Sequence, residues 1–171
     1  MSKTIDQLID EIILREGGLV DHPNDRGKIT KYGITLKTLS GWLGKPASAD
    51  AIRNLEVETA RKIYLSLYVE RPKFNQIVDP QLRALVADFG VHSGTATATK
   101  QLQKVLKVPA DGILGPKTLE ALDAADPITV YYAYFKTRVL FLIDIILSDP
   151  TQISFLKGWI GNRMMEFVRY E

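Results

Sequence analysis

A chain of 171 residues with 46% apolar and 25% charged residues has the balance of a folded protein and is too apolar to be intrinsically disordered. Its 22 Lys and Arg against 20 Asp and Glu leave a net +2, too even for charge alone to indicate nucleic acid or an acidic membrane as partner. With no cysteine, disulfide scaffolds, thiol nucleophiles and thiolate zinc sites are excluded together.

The chain opens on a strongly periodic segment. Ile5, Leu8, Ile9, Ile12 and Ile13 fall at the spacing of one helical face, which predicts an amphipathic helix. Thr4 with Gln7 makes a capping box, and Gly17-Gly18 ends the helix. Acidic residues spread through this segment leave no uninterrupted apolar run, so no secretory leader is expected. Between 19 and 35 the character changes. Leu19, Val20, Ile29, Tyr32 and Ile34 favour strands, while His22-Pro23-Asn24-Asp25 and Gly27 favour turns, which predicts a small antiparallel hairpin.

Thereafter the sequence reads as helical. One stripe is Val57, Ala60, Ile63, Tyr64 and Leu67; a second is Leu82, Leu85, Val86 and Phe89; a third is Leu102, Val105 and Leu106. The pairs Asp79-Pro80, Asp126-Pro127 and Asp149-Pro150 each carry a helix-start signature, with aspartate as the cap and proline at the first helical position. VPADGILGPK, from 108 to 117, is a turn-rich link into a short helix. The most apolar stretch, Val130 to Ser148, carries Lys136, Arg138 and Asp144, which predicts a buried core helix and no membrane insertion. The expected fold class is mostly α, with residues 1–171 forming a single domain that has a small β-hairpin near its N-terminus.

Glu16 is the first chemical candidate. Positions 5, 9, 12 and 16 share one helical face, so Glu16 extends the apolar stripe into the last turn. Partial burial there and the negative end of the helix dipole both favour the protonated form, which a general acid needs. The alternative is a helix-end glutamate salt-bridged to a nearby base. Asp25 lies further on, in the polar turn of the hairpin. A hairpin folding back over the helix end would set a second, solvated carboxylate opposite the first, the pairing that glycoside hydrolysis uses. Thr30 would hold the attacking water. An Asx-turn role for Asp25 and an ordinary strand role for Thr30 stay open. Tyr32 and Tyr68 suit the C–H faces of sugar rings, as do Trp42 and Trp159, and simple packing explains each equally well. His22 and His92, with Asp21 and Asp88 nearby, lack any metal-ligand spacing, so neither metal nor cofactor is expected.

Taken together these residues are more specific. The stretch EGGLVDHPNDRGKITKYGIT resembles the signature of glycoside hydrolase family 108, the phage-type N-acetylmuramidases, through Glu16, Gly17, Gly18, Pro23, Asp25, Gly27, Thr30, Gly33, Ile34 and Thr35. Lys28 stands where the family has a second glycine. ADFGVHSGTATATKQLQKVL is similar to the family's central segment, with His92 in place of asparagine; FLKGWIGNR resembles its closing Gly-Trp and Arg motif, with a Trp-to-Arg spacing one residue longer. The Tyr64 to Tyr68 spacing fits too, with Val69 where an aromatic is expected. ADGILGPKTLEAL resembles a peptidoglycan-binding element, here 108–124, embedded in a lysozyme-like domain.

The resemblance implies a monomeric endolysin that hydrolyses the β-1,4 bond between N-acetylmuramic acid and N-acetylglucosamine of bacterial peptidoglycan. Glu16 would be the general acid, with Asp25 and Thr30 serving the water, and Tyr32, Tyr68 and His92 contacting substrate. It also implies a phage or prophage setting, with the protein held in the host cytoplasm until a holin or export system admits it to the wall. Two alternatives are a lytic transglycosylase, which would use Glu16 without Asp25 or Thr30, and a non-catalytic wall-binding protein resting on 108–124.

Overall fold

Helix α1 (Ile5–Glu16) forms where the apolar spacing places it, with Leu8, Ile9, Ile12 and Ile13 buried. The computed structural model describes residues 4–21 and 29–168. His22, Pro23, Asp25, Gly27 and Lys28 lie outside the described residues. Chain contacts separate two compact units, Asp6–Arg71 and a second made of Met1–Ile5 with Pro72–Glu171.

In the first unit, Gly17 leaves α1 at φ 73°, with its N–H donating to the Ile13 carbonyl at 3.1 Å. Three two-residue strands follow, β1 (Leu19–Val20), β2 (Thr30–Lys31) and β3 (Ile34–Thr35), in the order β1-β2-β3 and antiparallel throughout. Thr30 faces Val20 on one side and Thr35 on the other. The sequence reading anticipates an antiparallel hairpin across residues 19–35, and the structure pairs β1 with β2 antiparallel and adds β3 as a third strand. Tyr32 and Gly33 join β2 to β3 at φ 54° and 73°, the doubly left-handed turn whose twist matches its flanking strands. Helix α2 (Leu36–Leu43) starts on Thr35, whose hydroxyl accepts from the Thr38 N–H at 3.1 Å. Helices α3 (Ala49–Arg53) and α4 (Val57–Leu65) complete the unit, and α4 runs on into a π-helical turn, Ser66–Glu70.

The second unit is built on α5 (Pro80–Ser93), α6 (Thr95–Val105), α7 (Pro116–Asp123) and α8 (Pro127–Ser148). Asp79 and Asp126 cap α5 and α8 as expected, accepting from Leu82 N–H at 2.6 Å and Thr129 N–H at 2.8 Å. Asp149-Pro150 instead opens a 3₁₀ segment, Pro150–Phe155, because Asp149 caps the nearer Thr151 N–H. The 108–117 link is pinned by Gln103, a fully buried amide that bonds Asp111, Gly112, Ile113 and Thr118.

Helix α8 departs from the sequence expectation. Tyr131, Tyr134, Arg138 and Leu142 are buried, but Leu140, Ile143 and Leu147 remain 49%, 37% and 73% exposed. Apolar content does not say which face finds a partner, and here only one face does. No helix among the described residues is long and apolar enough to cross a membrane.

Candidate active site

The first unit gathers several of the residues singled out above around the end of α1. The Tyr32 N–H donates to the Gly17 carbonyl at 3.0 Å, which ties the β2–β3 turn to the residue after Glu16. From α4, the Tyr64 hydroxyl donates to the Tyr32 carbonyl at 3.0 Å. Gly33 is wedged between them. A Cβ at that position would stand 2.6 Å from the Tyr64 hydroxyl and 2.8 Å from Glu16 Cγ. Both the left-handed backbone and the lack of space therefore demand glycine. Tyr68, from the π-helical turn, stacks on Tyr64 with centroids 5.7 Å apart and ring planes 28° from parallel. Burial pushes the Tyr68 phenol up, and the nearby charge of Glu16 adds to that. Glu16, Tyr32 and Tyr68 are thus brought together, with Tyr64 and Gly33 as the residues that hold them.

Glu16 itself corrects the sequence reading. It is exposed, because the buried stripe ends at Ile13 and the chain turns away at Gly17. The salt-bridge alternative fails as well: Arg15 pairs with Glu11 at 3.5 Å, and Glu16 makes no hydrogen bond or ion pair among the described residues. A lone carboxylate at the C-terminal end of a helix opposes the helix dipole and weakens the helix. An acid kept in such a place, with a glycine cleared beside it, has the marks of a functional group.

Thr30 is half-buried in the central strand, two positions before the turn. Asp25 lies outside the described residues. His92 belongs to the second unit, at the end of α5, where its Nδ1 lies 3.0 Å from the Ser93 hydroxyl and its ring meets Trp159 edge-on. Behind it is a buried charge cluster. Asp88, fully buried, pairs with the equally buried Arg138 and takes a forked contact from Arg163 at 2.8 and 3.0 Å. Burial alone would raise Asp88, but the two guanidinium groups outweigh it and hold the carboxyl below the usual range. The sequence marks its members singly, Asp88 and Arg138 as charges in apolar runs and Arg163 as the arginine of the closing motif, but nothing in it pairs them. The second unit also has a groove of about 360 Å³ between the start of α5, the end of α7 and the start of α8, lined by Ile77, Val78, Leu82, Leu122, Asp123 and Val130 among others. It contains none of the candidate residues.

Burial, then the charges of Arg163 and Arg138, push His92 down to about 4. The unfolded chain would bind a proton near the ordinary value of 6.5, so between about 4 and about 6.5 the unfolded state carries the extra proton and stability rises with pH. Urea midpoints should therefore fall as pH drops from about 7 to about 5, and fall less in His92→Gln. An equal fall in both proteins would remove His92 as the cause.

Comparison with known proteins matches residues 9–94 to the family described as glycosyl hydrolase 108, and residues 97–164 to one described as a predicted peptidoglycan domain. Among solved structures the chain is similar to SagA of Brucella abortus, at 32% identity and a TM-score of 0.74, covering 97% of this chain and 96% of that one. The fold is lysozyme-like, mostly helical with a small three-stranded antiparallel sheet. No curated protein matches.

Proposed function

This chain belongs to the glycosyl hydrolase 108 family and is a glycosidase acting on peptidoglycan, and we propose that the bond it cuts is the β-1,4 linkage between N-acetylmuramic acid and N-acetylglucosamine. The observation that carries this reading is Glu16, an exposed carboxyl at the wrong end of a helix with no ion-pair partner among the described residues, and with Gly33 packed against its side chain. A protonated Glu16 would give its proton to the glycosidic oxygen as the bond to the anomeric carbon breaks. Water then adds to that carbon, and its proton passes to a base, so that one water is consumed for each bond cut. Asp25 would steady the positive charge that develops or take the water's proton, and Thr30 would position the water. Both roles rest on their places in the family signature. Tyr32 and Tyr68, beside the acid, would contact the sugar.

The phage endolysin setting, with release from the host cytoplasm by a holin or other export system, belongs to this same proposal. Its support is the match of the Glu16 to Thr35 segment to that signature.

Incubation with purified peptidoglycan sacculi should release new reducing ends in proportion to enzyme and time. Retention on sacculi without any release of sugar ends would instead identify a wall-binding protein.

A further inference from the structure

The C-terminal segment of the second unit carries an aromatic surface apart from the residues given roles in bond cleavage above. Phe155 ends the 3₁₀ segment and Trp159 lies in the π-helical segment that follows, Lys157–Met164. Their rings stack at 5.6 Å with planes only 19° from parallel. His92 closes one edge, its ring 5.3 Å from that of Trp159 and nearly perpendicular to it. The stack is not core. Phe155 is 52% exposed and Trp159 half-buried, with Ile153 beside them at 62%.

Exposed, nearly parallel rings favour a flat partner. The faces of aromatic rings are electron-rich, and the axial C–H groups of a β-linked pyranose present a flat, weakly positive face to them. The hydroxyl and N-acetyl groups of such a sugar lie around its rim and need polar partners there, which the His92 imidazole and Ser93 hydroxyl supply. An acidic lipid surface would need a cluster of free cations. Among the described residues of this C-terminal segment, Arg163 is already committed to Asp88, and Lys157 is the other cation. The rings also fall inside the segment matched to a peptidoglycan domain, residues 97–164.

We propose that Phe155 and Trp159, with His92 at their edge, form a binding surface for the N-acetylated glycan strand of peptidoglycan. The inference rests on peptidoglycan being the substrate, and is independent of the role given to Glu16.

The test uses the full chain carrying Glu16→Gln, to stop cleavage, and Trp42→Phe, which leaves Trp159 as the one remaining tryptophan of two. Titration with a β-1,4-linked N-acetylglucosamine hexamer should give a saturable change in Trp159 emission. Phe155→Ala should weaken binding at least about tenfold, and Phe155→Tyr should restore it. Calorimetry on the chain that keeps Trp42 makes the same comparison should Trp42→Phe fail to fold. The proposal is overturned by an unchanged emission, by equal affinity in Phe155→Ala, or by binding to intact sacculi with none to strands stripped of peptide. A dimer dispersed by Phe155→Ala, with no response to glycan, overturns it in favour of self-association. Residual cleavage by the Glu16→Gln chain would count against the acid assignment and leave the binding result standing.

Discussion

Glu16→Gln should lower the release of reducing ends from sacculi by ~10²–10⁴-fold, the usual contribution of a positioned general acid. Stability should move the other way. The amide keeps the shape of the side chain but removes a negative charge from the C-terminal turn of α1, where it opposes the helix dipole and has no partner among the described residues. Relief of that opposition is worth roughly 0.3–1 kcal/mol, so the melting temperature should stay level or rise slightly. A loss of activity without loss of stability separates a working residue from a structural one. Gly33→Ala is the companion experiment. It forces an L residue into the left-handed region, at roughly 1–2 kcal/mol, and drives a methyl group into the Glu16 side chain and the Tyr64 hydroxyl. Activity should fall while the carboxyl itself remains. A Glu16→Gln protein that keeps more than about a tenth of the activity would dismiss Glu16 as the acid.

Asp88→Ala should be strongly destabilising. It strands Arg138, which is 1% exposed, and takes away the carboxylate that Arg163 forks. Breaking a buried pair from one side costs about 3–5 kcal/mol, against a total stability for a domain of about 5–15 kcal/mol. Removing both buried charges is a different matter, because the ion that then loses its carboxylate, Arg163, is partly exposed and can be hydrated. Asp88→Leu combined with Arg138→Met should recover most of the lost stability, since Met suits the apolar space between Phe89 and Phe167 that the guanidinium now occupies. Urea unfolding of the three proteins reads this directly. A double variant as unstable as Asp88→Ala would mean that the network contributes through its hydrogen bonds and shape rather than by cancelling charge.

Much of the fold is legible in the sequence because its determinants are local. The stripe of α1, the stop at Gly17 and the caps at Asp79 and Asp126 all depend on residues within about one helical turn, and each is found where local chemistry puts it. What the sequence leaves hidden depends on distant partners. The exposure of Glu16 is decided by where the chain turns at Gly17, and its neighbours Gly33 and Tyr64 come from the sheet and from α4. The need for glycine at 33 follows from that approach, which the motif alone does not explain. Tyr32 at φ 54° has no local signal, since tyrosine rarely takes such a backbone. Leu140, Ile143 and Leu147 read as core because they are apolar, yet among the described residues they stay 37–73% exposed. Asp88 finds its cations on α8 and in the C-terminal segment, beyond the reach of any spacing rule.

Mass spectrometry of the muropeptides released from purified sacculi tests the proposed reaction most directly. Hydrolysis adds one water for each bond broken and leaves a reducing N-acetylmuramic acid end, which borohydride converts to the alcohol. The proposed reaction predicts these products from the unmodified chain and their near-absence with Glu16→Gln. Products ending in 1,6-anhydro-N-acetylmuramic acid, lacking the added water and inert to borohydride, would show that the sugar's own hydroxyl attacks the anomeric carbon, and would contradict a muramidase that uses water.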